Sequence, residues 1–89
     1  MKSCTIPLTG LIEFNQAEEI TLRVRLALRG GVTNITFSCD ESTHIQSPEF
    51  IVFLEGVRRQ LGDQMSFSGV RGHARRILSL FNFEPHFRG

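Results

Sequence analysis

Few side chains in this 89-residue sequence can do chemistry, and their spacing narrows the field further. His44, His73 and His86 and the two cysteines, Cys4 and Cys39, are the candidate metal ligands. His44 lies five residues from Cys39 and His73 thirteen from His86, which is no metal-ligand spacing. Glu18 and Glu19 are adjacent and point apart on a helix, so they are no acid–base pair. No nucleophile–base–orienter set and no glycine-rich phosphate loop is legible. The sequence therefore predicts no catalytic residue, no metal site, no cofactor and no enzyme. What remains is Ser47, a hydroxyl directly before Pro48. A serine there caps a helix by accepting from its first N–H groups. It is also a place where phosphate would add close to two negative charges, tolerated by the helix but not by a docked acidic or apolar partner. Ser42 and Thr43 are weaker versions of the same candidate. In the following helix Val52 points away from the apolar stripe, with Glu49 a turn before it and Gly56 a turn after. That strip is either a docking face beside Ser47 or an ordinary exposed valine. Arg58, Arg59, Arg71, Arg75 and Arg76 are solvated helix faces or a basic cluster for an acidic partner or a phosphate.

The elements that must hold these residues are short. Ile6, Leu8 and Gly10 alternate with polar neighbours, as do Ile35, Phe37 and Cys39 within Val32–Cys39, and Met65 and Phe67 within Gln64–Gly69. Each is a strand with one apolar and one polar face. Parallel strands covered on both sides read as continuous apolar runs, so this sheet is either antiparallel or has all its helices on one side. Residues 20–29 satisfy two patterns. Ile20, Leu22, Val24, Leu26 and Leu28 alternate like a strand. A helix capped by Asn15, with Glu18 three residues on and Gly30 at its end, fits equally and puts Ala17, Ile20, Val24, Ala27 and Leu28 on one stripe. Ser47-Pro48 opens a second helix with Phe50, Phe53, Leu54, Val57 and Leu61 on one face, closed by Gly62. A third is expected over Gly72–Asn82, with Ala74, Ile77, Leu78 and Phe81 inward, followed by an irregular apolar tail from Phe83.

This order, with a strand running directly into a capped helix, resembles the STAS domains of bacterial anti-sigma factor antagonists and sulfate transporter tails. Pro7-Leu8-Thr9-Gly10-Leu11-Ile12 is similar to the family's apolar-x-Gly-x-apolar strand end. Ile45-Gln46-Ser47-Pro48-Glu49-Phe50 stands where the family has apolar-Asp-Ser-Ser/Thr-Gly-Leu. Leu61-Gly62 to Gly69-Val70, followed by Ala74-Arg75-Arg76-Ile77-Leu78-Ser79-Leu80-Phe81, resembles the third anchor. The likeness spans roughly Ile6 to Phe87. It implies a helix for the ambiguous segment and an α/β fold, a small right-handed strand–helix superhelix with a mostly parallel sheet and helices on one face. It also implies a phosphorylatable serine at Ser47 and a partner-binding surface of Gln46, Ser47, Glu49, Val52 and Gly56. Gln46 replaces the usual acidic residue and Glu49 the usual glycine. The family's extra N-terminal strand and further C-terminal helix are not found. The strand at Ile6–Gly10 is thus expected to be an open edge, satisfied by a second copy of the chain or a partner's strand, with Leu22 and Leu26 adding to the contact.

Composition bounds the rest. Forty per cent hydrophobic and 21% charged residues with mean hydropathy −0.05 make an ordinary folding chain, and 89 residues make one domain, 1–89. A net charge of +1 argues against nucleic-acid binding. No apolar run is long enough to span a membrane and no signal peptide opens the chain. Two cysteines fit a reducing cytoplasm. The combined expectation is a cytoplasmic protein-interaction module of bacterial signalling and transcription regulation. Its partner would be a serine-kinase anti-sigma factor or, without a phospho-switch, the ATPase of a lipid-transport ABC machine; a self-associating structural domain is the third reading.

Overall fold

The computed structural model describes residues 2–89. Its elements run β1 (Ser3–Leu8), β2 (Leu11–Ile12), α1 (Phe14–Arg29), β3 (Asn34–Cys39), β4 (His44–Ile45), α2 (Pro48–Leu61), β5 (Met65–Ser68), α3 (Gly72–Leu80) and β6 (Phe87–Arg88). The main sheet has order β1-β3-β5-β6 and every pair is parallel. Each crossover carries a helix and steps to the next strand in one direction. Repeating the right-handed crossover that twisted strands favour puts all three helices on one face. The strands record this directly. Ile35, Phe37, Cys39, Met65 and Phe67 are buried, while Asn34, Thr36, Ser38, Ser66 and Ser68 on the opposite face stay partly open. Across that uncovered face the Thr36 and Ser66 hydroxyls bond each other at 3.1 Å.

The core is a phenylalanine stack between sheet and helices. Phe37 and Phe67 lie 5.4 Å apart, and Phe83 and Phe87 meet the Phe67 ring edge-on at 5.5 and 6.2 Å. Such pairs contribute about 0.5–1.5 kcal/mol each beyond their burial. Leu8, Ile20, Val24, Phe50 and Leu54 complete the expected core, and all are buried.

Four expectations are corrected. Helix α1 begins two residues earlier than Asn15 would cap it. Glu13 is the N-cap, and its N–H donates to Gln16 Oε1 at 3.2 Å, so Asn15 lies exposed inside the first turn. The strand expected over Ile6–Gly10 runs instead over Ser3–Leu8, because Gly10 turns the chain at φ 72°, and Leu11–Ile12 pair separately with β4. The expected inward Phe81 is 40% exposed and Ile77 only partly buried. Asn82 at φ 65° ends α3 in a left-handed turn. There Phe83 N–H donates to Leu78 O at 3.0 Å and Asn82 N–H to Ser79 O at 3.1 Å, the Schellman pattern. That reversal delivers Phe83, fully buried, to the place meant for Phe81. The tail is also more regular than expected. After a 3₁₀ turn at Glu84–His86, Phe87–Arg88 joins the sheet beside β5.

Strand β1 does lie at the sheet edge. The Lys2 carbonyl accepts from Asn34 N–H at 3.1 Å. Backbone groups alternate along a strand, so those of Cys4, Ile6 and Leu8 also face β3, and those of Ser3, Thr5 and Pro7 face outward. The missing N–H of Pro7 thus falls on the open side, where the sheet loses no bond. Leu22 does not flank this edge; it faces α2.

Candidate functional site

The short pair β2–β4 builds the site. His44 N–H donates to Gly10 O at 3.0 Å and Gln46 N–H to Ile12 O at 2.9 Å. These bonds carry the start of α2 alongside the start of α1. Between the two helices lies a groove of about 310 Å³, with Phe14, Glu18, Leu22 and Arg25 on the α1 side and Ser47, Glu49 and Phe53 on the α2 side. Phe14 and Leu22 are each 57% exposed, as is Leu26 one turn further along α1. On α2, the 100° step per residue places Gly56 and then Val52 on the solvent side of the Glu49–Phe53 row. Val52 is 63% exposed and a Cβ on Gly56 would meet nothing. The expected site residues therefore separate. Ser47 and Glu49 line the groove, Val52 and Gly56 form its outer rim, and Gln46 lines a second groove that Ser47 also borders. That one, of about 280 Å³ between α2 and α3, is lined by Ile45, Pro48, Ile51, Ile77 and Phe81.

Ser47 caps α2 as its position before Pro48 predicts. Its Oγ accepts from Phe50 N–H at 3.3 Å and donates to Glu49 Oε1 at 3.2 Å. The residue is 4% exposed. An acceptor for phosphoryl transfer must present its oxygen to a second active site, and this hydroxyl has both hydrogen-bonding roles filled within its own turn. The lesser candidates are committed as well. Thr43 is 1% exposed, donates to Leu8 O and accepts from Asp40 N–H at 3.0 Å. Ser42 Oγ donates to Asp40 Oδ1 at 2.5 Å and accepts from Gly10 N–H at 3.0 Å. Together they tie the β3–β4 loop to the end of β1. The bonds from the Ser42 hydroxyl and amide hold the Asp40 carboxyl below its ordinary value.

The other chemically capable groups are structural. Burial, aided by the charge of Asp40, pushes the Cys39 thiol up to about 11, against a weaker lowering by Thr43, so it stays protonated and unreactive. His44 and His73 stack face to face at 3.6 Å, and His73 Nε2 donates to Ile45 O at 3.2 Å, pinning the start of α3 to β4. His86, buried, donates from Nδ1 to Met65 O at 3.0 Å. No group of three His, Cys, Asp or Glu side chains able to hold a metal ion occurs among the described residues. Arg58 leaves the expected basic cluster. Its guanidinium sits 4.2 Å over the Phe83 ring and donates to the Phe81 and Asn82 carbonyls at 3.2 and 3.0 Å, closing the C-terminus of α3.

Sequence reasoning missed Phe14 and Arg25 as groove residues. Helical spacing puts Phe14, three residues before Ala17, beside the inward stripe, so the sequence carried no signal that it stays open. Among the described residues no helix is long and apolar enough to cross a membrane. No protein-family model, curated protein or solved structure matches this chain.

Proposed function

We propose that the protein is a STAS-type interaction module of the cytoplasm that docks on a protein partner through the α1/α2 groove and its rim. The observation that carries this reading is that Phe14 and Leu22, both exposed, line a formed groove, with Leu26 and Val52 exposed on the same two helices. Isolated exposed hydrophobics are ordinary; large apolar side chains left open in a concave surface mark an interface. Glu18 and Glu49 on opposite walls, with Arg25 further along α1, give the groove a polar rim that orients what enters it.

Of the two partner types, the burial of Ser47 supports the accessory subunit of an ABC-type ATPase, bound without a phosphate switch. The anti-sigma antagonist reading requires Ser47 to leave its cap before a kinase can reach it. Phosphate would then oppose docking by charge and by desolvation in the groove.

Affinity capture from the source cell, with wild type and the Leu22→Asp and Phe14→Asp variants side by side, tests the docking face. Wild type retains an ATPase and both variants lose it while circular dichroism stays unchanged. Retention by both variants removes the groove from the interface. The switch is tested by Ser47→Asp. Binding as tight as wild type leaves the accessory-subunit reading standing; a loss of binding with the fold intact restores the antagonist.

A further inference from the structure

The arginines that the docking groove does not use gather at another place. Arg71, Arg75 and Arg88 line one notch of about 150 Å³ at the carboxyl ends of β5 and β6, floored by Gly69, Val70 and Phe87 and bordered by Gly89. That is room for about five waters, enough for a tetrahedral oxyanion and too little for a nucleoside. None of the three arginines has an acidic partner within ion-pair distance among the described residues, where the single ion pair is Arg58–Glu55. Arg75 is held over the Phe87 ring at 5.9 Å, and Arg88 Nη1 is turned back toward Phe87 O at 3.5 Å. Two of the cations are therefore positioned by contacts that leave further guanidinium N–H groups unused.

The backbone beside the notch is equally unsatisfied. Helix α3 starts at Gly72 with Arg71 as its N-cap and no side-chain cap. The N–H groups of Gly72, His73 and Ala74 find no acceptor among the described residues. Gly69, at φ 65°, contributes bare main chain to the notch lining. Three guanidinium groups without an acidic partner thus line one small volume at the carboxyl ends of parallel strands, beside the uncapped start of α3, and all favour an anion there.

We infer that this notch binds a phosphate dianion, free or as the head of a small phosphomonoester, independently of the docking groove. The class follows from the donors. Planar guanidinium forks match the several acceptor oxygens and double charge of phosphate; a chloride ion offers no array of oxygens for a fork, and a carboxylate carries half the charge.

The experiment is an amide NMR titration of the whole protein with inorganic phosphate and, separately, O-phosphoserine, at ionic strength held constant with sodium chloride. Saturable shifts confined to Val70–Ala74 and Phe87–Gly89 are expected. Either the free anion or the ester binding more tightly supports the site and identifies its source. Arg71→Ala and Arg88→Ala should each raise Kd roughly tenfold, the loss of one charge-assisted contact. Arg75→Lys, which keeps charge without the fork, should lose less than Arg75→Ala. Shifts that never saturate, that spread equally to Arg23, Arg25 and Arg29 on α1, or that survive the double variant Arg71→Ala/Arg88→Ala show an adventitious ion only and overturn the proposal.

Discussion

Two helices begin at the same end of this sheet, and they begin in opposite ways. The start of α2 is closed on itself: Ser47 caps it, Pro48 at its first position has no N–H to satisfy, and Glu49 adds negative charge in the first turn. The start of α3 has no cap, no acid in its first turn, a glycine in left-handed conformation and an arginine where a cap would stand. A self-satisfied turn offers its surroundings only shape and apolar surface, and the α2 turn accordingly forms the wall of an apolar groove. An unsatisfied turn offers free donors. The contrast teaches that the strand-to-helix turn, repeated along one sheet edge, is specialised by one or two residues at the cap.

Substitutions distinguish the two turns. Both turns rest on the same aromatic platform, so Phe37→Ala should abolish the difference by loosening the whole fold. A loss of about 3–5 kcal/mol is expected in chemical denaturation, much of what a domain this size has. Gly69→Ala acts on the α3 turn alone. A Cβ there would come within 2.3 Å of the Cys39 carbonyl oxygen at a φ of 65°. A cost of about 3 kcal/mol is expected, with the amide shifts of Val70–Ala74 moving while those around Ser47 stay. The caps themselves should respond with opposite signs. Ser47→Ala should cost about 1 kcal/mol, and Arg71→Asp should stabilise by about 0.5–1 kcal/mol because it supplies the missing cap. Two losses of similar size would mean that the α3 turn is already satisfied. The smallest effect concerns acid. The Asp40 carboxyl is depressed in the folded protein, so its contribution is present above the unfolded value near 3.8 and fades as pH falls through the lower folded one. Below about pH 4, amide exchange at Ser42 and Thr43 should quicken while the caps of α2 and α3 stay unchanged.

Much of this was legible in the sequence because it was written locally. The Ser47-Pro48 cap and the inward faces of β3 and β5 follow from neighbours in the chain. The local pattern leaves the sheet either antiparallel or single-sided and residues 20–29 either strand or helix, and the structure has a parallel sheet and a helix there. What escaped was decided across distance. Asn82 looks like any polar residue after a helix, yet its left-handed turn exchanges Phe81 for Phe83 in the core. Arg58 and Arg75 look alike on their helices; one is spent on Phe83 and two carbonyls, the other stands at a notch. Arg88 reaches that notch only because the tail joins the sheet as a strand. The groove needed the β2–β4 pair, two residues on each side, which no periodicity announces.

The proline of β1 has a consequence for life at high concentration. A sheet edge invites further strands, and a chain that accepted them without limit would grow into fibres. Here an added strand would find donors at Ser3 and Thr5 and then a gap at Pro7, one residue before the strand ends. The first layer of such a stack is thus poorly held along its length. A single ring, placed on the side where it costs the native ladder nothing, acts as a brake on open-ended polymerisation.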